Sequence, residues 1–211
     1  MTQTPNYKRI QRMMFSIIIP AHNAAEYIRK CLDSIKSQSY KDYELIVVCD
    51  ACTDDTEAIA REYTDKVYPV PFHNEGRARN YGLDHATGEW VLWMDDDDWW
   101  LHEFVLEQLS QEVPDAIDVL AFSFIFQTRG YAKPRSDKGT HWIAVWSKCW
   151  RRSFIGDTRF GIEFPSDVNW NVRMMAKKPR IRDWDMPLYY YNYMRPGSQT
   201  WNMKKGGTQD A

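Results

Sequence analysis

The alternation of apolar runs with helix-periodic segments constrains the fold of this chain more than any other feature. Residues 15–20 (FSIIIP) and 44–49 (ELIVVC) are rich in β-branched residues, which is typical of buried strands. Between them, four apolar residues recur at the spacing of one helix face: Ile28, Cys31, Leu32 and Ile35. Strands that alternate with helices in this way predict an α/β fold, with a mostly parallel central sheet and helices on both faces.

The same alternation continues through the first half of the chain. Asp54, with Glu57 three residues later, resembles a capping box that opens a helix running to Tyr63. A short strand is predicted near residues 67–70, and a further buried strand at 89–94 (EWVLWM). These elements extend the predicted parallel sheet.

The second half of the sequence is less regular. It contains four predicted elements: a helix near 102–111, an alternating strand at 119–126, a helix that begins at Ser166 and a last strand at 188–193 (LYYYNY). Val168, Val172 and Met175 are predicted to form the apolar stripe of the Ser166 helix. No linker divides the chain, so we expect one domain.

Charge, hydropathy and cysteine content exclude several classes of protein. Lys and Arg number 27 against 29 Asp and Glu, so the net charge of -2 provides no global attraction to nucleic acid or anionic lipid. The longest apolar run, 15–20, is too short to span a bilayer, and we expect a soluble, cytoplasmic protein. Cys49 and Cys52 form a single CxxC without a second ligand pair, which favours ordinary reduced thiols over a zinc or redox site.

Acidic residues follow two of the predicted strands directly. Asp50 follows ELIVVC, and four aspartates, Asp95 to Asp98, follow EWVLWM. Because ligands of open α/β sheets bind beyond the carboxyl ends of the strands, these carboxylates are expected to converge on one crevice. Oxygen ligands of this kind suit Mg²⁺ or Mn²⁺ bridged to phosphate. A solvated acidic turn is the alternative interpretation.

With these residues in view, the chain resembles the family 2 glycosyltransferases, which have the GT-A fold and transfer sugars from nucleotide donors. Three strings carry the resemblance in the family's order and spacing: SIIIPAHN at 16–23, VVCDACTDDT at 47–56 and ATGEWVLWMDDDD at 86–98. Weaker similarity continues to residue 198. The resemblance implies a single domain with a lead-in at 1–14, a nucleotide-binding half at 15–98, an acceptor-binding half at 99–200 and a tail at 201–211.

The resemblance implies a nucleotide site and a metal ligand. Asp50 would accept a hydrogen bond from the ring N–H of the base, which favours a UDP-sugar, although Asp50 could instead only shape its turn. Ala51 and Cys52 stand where the family usually has Gly and Ser. Asp97 would bind Mn²⁺ or Mg²⁺. The resemblance also implies further nucleotide contacts: Pro20, Ala21, Asn23, Arg79, Asp95, Asp96 and Arg195. Ser198 is implied as a contact beside Arg195. The side chain of Asp96 is expected to face solvent.

The resemblance also implies an inverting displacement and its general base. Asp167 matches the aspartate of the family's Glu-Asp pair, with Ser166 in place of the glutamate. The positive end of the helix dipole is expected to keep Asp167 ionised. Alternatively, Ser166 or Asp167 only caps the helix, and Glu163 is then the next candidate for the base. The arginines Arg77 and Arg79 would orient carboxylates or meet the diphosphate, unless they are surface residues.

The acceptor is open at this stage: a glycan, a lipid-linked sugar or another hydroxyl compound. We expect Trp99 or Trp100 near it, and surface or packing roles for all five histidines. A modified DNA base is a minor alternative that would draw on basic residues: Lys8, Arg9, Arg12, Lys148, Arg151 and Arg152. Two other hypotheses compete with sugar transfer. The first is a sugar-nucleotide pyrophosphorylase, which is disfavoured because the segment PAHNAAEY lacks the Gly-rich phosphate loop of those enzymes. The second is a degenerate domain that binds nucleotide or a partner without transfer, and Ser166 is compatible with it.

Overall fold

Nine strands and six helices make up the part of the chain that this computed structural model describes, residues 14–113, 116–134, 144–163 and 165–193. The strands are β1 (Phe15–Ala21), β2 (Tyr43–Asp50), β3 (Val67–Val70), β4 (Trp90–Trp93), β5 (Trp99–Trp100), β6 (Val119–Phe126), β7 (Gly130–Ala132), β8 (Lys148–Arg151) and β9 (Ile181–Tyr191). The helices are α1 (Ile28–Lys36), α2 (Thr56–Arg61), α3 (Glu75–His85), α4 (Val105–Glu112), α5 (Arg152–Ile155) and α6 (Ser166–Ala176). Within those ranges, none of the helices is long and apolar enough to cross a membrane.

One mixed sheet contains all nine described strands, in the order β3-β2-β1-β4-β8-β6-β9-β5, with β7 paired to β6. The pairs β3-β2, β2-β1 and β1-β4 are parallel. Beyond β4 the sheet is mixed, because β8 is antiparallel to both β4 and β6 while β6 and β9 are parallel. The α/β class and the parallel arrangement of β1 to β4 agree with the sequence prediction.

The continuous apolar runs exist because both faces of the sheet are covered. Along β1, Ile17 and Ile19 face the cluster that contains α1, whereas Ile18 faces the cluster that contains Ala78 and Leu83 of α3. Successive side chains of a strand point to opposite faces, so a strand buried on both faces has no polar alternation. This packing fixes the carboxyl ends of β1, β2 and β4 at one edge of the molecule.

The predicted capping box at the start of α2 is not formed. The helix begins at Thr56 after Asp55, whose side chain makes no capping bond, and it ends at Arg61 rather than Tyr63. Asp54 accepts from the backbone N–H (3.1 Å) and hydroxyl (2.5 Å) of Thr56, the first residue of the helix, and also from the Ala25 backbone N–H (3.0 Å). The carboxylate therefore joins two loops, a contact that local spacing could not indicate.

The predicted apolar stripe of α6 is also wrong. The buried face of this helix consists of Ser166, Trp170, Asn171 and Met174, whereas Val172 is 43% exposed. Trp170 contacts Trp93 and Phe160, with ring centroids 4.9 and 4.7 Å apart. Burial of the largest aromatic ring outweighs burial of the smaller aliphatic side chains and sets the rotation of the helix.

Candidate active site

Hydrogen bonds join the loops that follow β1, β2 and β4. The His22 backbone N–H donates to Oδ2 of Asp96 (3.1 Å), and His22 Nδ1 donates to the carbonyl oxygen of Asp50 (2.6 Å). Asn23 Oδ1 accepts from the Thr53 backbone N–H (2.8 Å). The carboxyl ends of three parallel strands thus form one crevice, with Pro20 and Ala21 buried at the end of β1.

Asp50 is buried, and its carboxylate organises the turn before α3. Oδ1 accepts from the backbone N–H groups of Phe72 (2.6 Å) and His73 (2.8 Å), and Oδ2 accepts from that of Asn74 (2.6 Å). A carboxylate offers about four acceptor positions, so one remains for the N–H of a base. The turn-shaping role is therefore observed, while the base contact stays a prediction. Ala51 follows with φ of 53°, a left-handed conformation that favours glycine.

The four consecutive aspartates have different environments. Asp98 is buried and accepts from the Tyr189 hydroxyl (2.6 Å) and the Asn192 backbone N–H (2.8 Å), which ties the acidic turn to β9. Asp96 is only 9% exposed, so the expectation that it faces solvent is wrong; the backbone of His22 covers it. Asp97 is partly exposed.

A metal at this turn would take most of its ligands from outside the protein. In the described ranges, no group of three or more His, Cys, Asp or Glu side chains is arranged to hold a metal ion. Mg²⁺ sites at phosphates commonly use only one or two carboxylates, together with phosphate oxygens and water. The partly exposed Asp97 fits this type of site, and the buried Asp98 does not.

Arg79 connects the acidic turn to α3. Its buried guanidinium, 2% exposed, donates from Nη2 to Glu75 Oε1 (2.6 Å) and to Asp95 Oδ1 (3.0 Å). Burial raises the pKa of Asp95 to about 7 although Arg79 opposes the shift, and the negative charges of Glu75 and Asp167 add to it. Of the two roles considered for Arg79, the contacts favour orientation of carboxylates. Arg77 is exposed on the surface of the helix.

Asp167 lies in the first turn of α6, beside Arg79. The residue in the capping position is Pro165, and the Asn171 side chain donates to the Asp167 carbonyl oxygen (2.9 Å). Burial raises the pKa of Asp167, and the positive charge of Arg79 opposes that rise. Removal from water thus opposes the ionised form that the helix N-terminus favours, and the expectation that Asp167 is ionised at neutral pH stays a prediction.

The helix N-termini of α3 and α6 meet at Gly76 and Ser166. A Cβ atom on Gly76 would lie 2.3 Å from the carbonyl oxygen of Gly161 and 3.2 Å from Cβ of Ser166. Asn74, the N-cap of α3, donates from Nδ2 to the Ile162 carbonyl oxygen (3.0 Å). The close approach favours the small side chain at Ser166, where the family usually has glutamate.

Several predicted residues do not lie in the crevice. Trp100 is buried in the core, while Trp99 is half-buried, stacked on Tyr190 (centroids 4.1 Å apart) with Lys30 over its other side. Trp99 is thus the better placed of the two tryptophans to meet an acceptor. Arg195 and Ser198, the C-terminal residues that the resemblance assigns, lie outside the described ranges. Glu163, the alternative base, is exposed.

Three functional candidates were missed by sequence reasoning. His22, expected to be a surface or packing residue, is exposed but bridges Asp50 and Asp96, and its place inside SIIIPAHN was a usable signal. Glu75 shares Arg79 with Asp95. Lys148 is buried in β8, which lowers its pKa to about 7 although the charge of Asp167 opposes the shift. Neither of the last two has a local sequence signature.

Comparison with known proteins places the sequence among sugar transferases. The sequence model of the family described as glycosyl transferase family 2 matches residues 16–178. Glycosyltransferase GlyA of Streptococcus pneumoniae is 38% identical over 95 residues, which are 43% of this chain and 14% of that protein. The chain spans 15% to 60% of the length of the other curated relatives compared with it, less than two thirds of each.

Solved structures of similar fold include transferases with bound donors. TarS from S. aureus in complex with UDP-GlcNAc has a TM-score of 0.78 and 24% identity, covering 90% of this chain and 61% of that one. The mannosyltransferase PcManGT from Pyrobaculum calidifontis, solved with GDP-Man and Mn²⁺, has a TM-score of 0.72 and 18% identity, covering 92% and 61%. At sequence identities of 24% and 18%, these two similarities show that the fold is shared and nothing more.

Proposed function

This chain belongs to glycosyl transferase family 2 and has the GT-A fold, and from that premise we propose that it is a metal-dependent inverting glycosyltransferase with Asp167 as general base. The donor is a nucleotide-diphosphate sugar, preferably a UDP-sugar, and the acceptor is a hydroxyl compound. Since the chain spans only part of its curated relatives, the activity proposed is that of this domain.

One observation carries the proposal. Arg79 pairs with Asp95 of the acidic turn and lies beside Asp167, and the loops of Asp50 and Asp96 are joined through His22. A turn suited to a nucleotide, a candidate metal ligand and a partly buried candidate base therefore adjoin a single crevice. Such a set is what displacement at a sugar diphosphate requires.

The donor assignment is supported by chemistry and by structural relatives. The Asp50 carboxylate can still accept a hydrogen bond from the N–H of a uracil ring. The end of β1 borders the same turn, with Pro20 and Ala21 buried and Asn23 beyond them. TarS was solved with UDP-GlcNAc and PcManGT with GDP-Man, so nucleotide-sugar binding is supported more strongly than the identity of the base.

The metal assignment depends on Asp97. Its partial exposure, between the buried Asp96 and Asp98, leaves it as the member of the turn most able to share a divalent cation with a diphosphate. Mn²⁺ or Mg²⁺ would neutralise charge on the departing nucleoside diphosphate. Arg79 keeps Asp95 oriented beside it, and Arg195 is assigned to the diphosphate by resemblance alone.

The residues account for each bond change of a single displacement. The acceptor oxygen bonds to the anomeric carbon while the bond from that carbon to the diphosphate oxygen breaks, with inversion. Asp167 accepts the acceptor's proton, and its raised pKa makes it a stronger base than an exposed aspartate. Arg79 holds the neighbouring Asp95 in place throughout.

The test is turnover of a UDP-sugar panel with Mn²⁺, in which release of UDP is measured with and without glycan and lipid-linked acceptors. We expect release from at least one donor, abolished by EDTA and by Asp97→Asn. Nucleotide binding without any release across the panel would instead support the degenerate, binding-only domain. Release that is unchanged in EDTA would contradict the metal assignment.

A further inference from the structure

The turn after β2 holds two thiols side by side. Cys49 is 1% exposed within β2, whereas Cys52 is half-buried beyond the end of the strand. Ala51, with its left-handed φ of 53°, lies between them, and both side chains pack into the same apolar cluster, which also contains residues of α1. All four cysteines are free thiols, and the other two are buried elsewhere.

The two thiols have unlike environments. The Cys52 thiol donates to the carbonyl oxygen of Ala21 (Sγ to O, 3.4 Å), at the edge of the crevice. The hydrogen bond from Cys49 and a second one from the Asn23 backbone lower the pKa of Cys52 to about 7 against the effect of burial, with His22 assisting and Asp54 opposing. The pKa of Cys49 is raised. Cys52 is therefore both the accessible thiol and the more easily ionised one.

We propose that Cys52 and Cys49 form a hydroperoxide-reactive pair that oxidises to a disulfide within this turn. The Cys52 thiolate attacks the outer oxygen of a hydroperoxide, the O–O bond breaks, and Cys52 becomes a sulfenic acid as the peroxide leaves as water or alcohol after taking up a proton. The Cys49 sulfur then bonds to the Cys52 sulfur and displaces the sulfenic oxygen as water. The two thiols thus lose two electrons and two protons, and the peroxide takes up both to give water and an alcohol, or two waters from hydrogen peroxide.

The disulfide would change the conformation of the turn after β2, which we call the donor turn because it carries Asp50. Asp50 lies between the two cysteines, and its carboxylate and carbonyl oxygens bind the backbone of Asn74 and the ring of His22. A disulfide holds its sulfurs about 2 Å apart and fixes the geometry of both side chains, so we expect it to alter the turn that carries Asp50. This consequence for nucleotide binding rests on the proposed function, whereas the disulfide itself does not.

The experiment treats the reduced chain with a small excess of hydrogen peroxide and then alkylates the remaining thiols. We expect the tryptic peptide that contains both cysteines to lose two hydrogen atoms and to resist alkylation until dithiothreitol is added. Cys52→Ser should not lose the hydrogens, and Cys149→Ala, which removes a buried thiol outside the turn, should behave like the wild type. A sulfinic acid at Cys52 with Cys49 still alkylated would overturn the proposal.

Nucleotide binding to the same samples tests the consequence. UDP affinity, measured with Mn²⁺, is expected to fall about tenfold on oxidation and to recover with dithiothreitol, which is the size of effect expected from loss of a hydrogen bond to a charged group. Equal affinity of the oxidised and reduced chains would overturn the coupling to the donor turn. A reduced chain that binds no UDP would count against the proposed function, while the peptide masses would still decide the disulfide.

Discussion

Asp96 and Asp97 are neighbours in sequence with different surroundings, which makes them a matched pair for testing metal binding. Asp97→Asn is expected to abolish the rise in melting temperature that UDP causes with Mn²⁺, because the amide loses the charge that a hard cation requires. Asp96→Asn should keep most of the rise, since an Asn oxygen can still accept from the His22 N–H. The measurement is a thermal shift with UDP, with and without Mn²⁺. The reverse order, or an equal shift in EDTA, would show that Asp97 is not the ligand.

Asp167 is tested by separating chemistry from binding. Asp167→Asn cannot accept the acceptor's proton, so we expect kcat to fall by about 10²-fold or more while UDP affinity stays near that of the wild type. The exposed Glu163→Gln is the control and should keep its turnover. If Asp167→Asn retained its turnover, or lost UDP binding and stability together, Asp167 would be structural and Glu163 the next candidate.

The raised pKa of Asp167 predicts the pH dependence of turnover. The base acts only when ionised, so kcat should decline as pH falls through the pKa of Asp167 in the complex. Burial raises that pKa, and the decline should therefore occur above about pH 3.9, the ordinary value for aspartate. The profile of kcat against pH measures it. A decline only at or below the ordinary value would mean that water or a cation stabilises the ionised carboxylate.

At the scale of elements, the contact between α3 and α6 positions the base relative to Arg79. Gly76→Ala would place a methyl group 2.3 Å from a backbone carbonyl oxygen, which no side-chain movement can relieve. We expect a loss of about 1–3 kcal/mol in the free energy of unfolding. Arg77→Ala, an exposed neighbour in the same helix, should stay within about 0.5 kcal/mol. Urea denaturation of both variants checks this, and equal stabilities would show that the two helix N-termini can separate easily.

Elements whose signal is local were predictable from the sequence, and those whose positions depend on distant partners were not. Residues 119–126 were predicted as a strand with the bounds that the structure has for β6, because period-two alternation is a local property. The orientation of α6 was wrong because Trp170 is placed by Trp93 of a distant strand. Strand β8 carries no local pattern and is placed by pairing with β4 and β6, and helix α5 follows it directly.

The candidate site shows the same division. The convergence of Asp50 with the acidic turn followed from the rule for strand ends, and the hydrogen bonds through His22 agree with it. The individual roles of the aspartates did not follow, because the partners of Asp96 and Asp98 are 74 and 94 residues away in sequence. Backbone N–H groups of two remote segments therefore decide that Asp96 and Asp98 are covered.

At the scale of the whole molecule, the three described basic residues considered for a DNA acceptor, Lys148, Arg151 and Arg152, are engaged in contacts within the fold. Lys148 is buried and donates to the Ala144 carbonyl oxygen (2.6 Å). Arg151 pairs with Glu89 (2.7 Å), and Arg152 donates to the Gly88 carbonyl oxygen (2.6 Å). These contacts hold β8 and α5 against β4. The remaining three basic residues, Lys8, Arg9 and Arg12, lie outside the described residues.

The charge of the whole chain, -2, therefore predicts weak binding to duplex DNA. Each phosphate that a protein neutralises adds close to one unit to the slope of log affinity against log salt, so we expect a slope near zero. Fluorescence anisotropy with a labelled duplex at several salt concentrations measures it. The triple variant Lys8→Ala, Arg9→Ala and Arg12→Ala is the control for a local basic segment. A steep slope that this variant abolished would place DNA among the acceptors, whereas a slope near zero would count against a nucleic-acid acceptor and leave a glycan, a lipid-linked sugar or another hydroxyl compound.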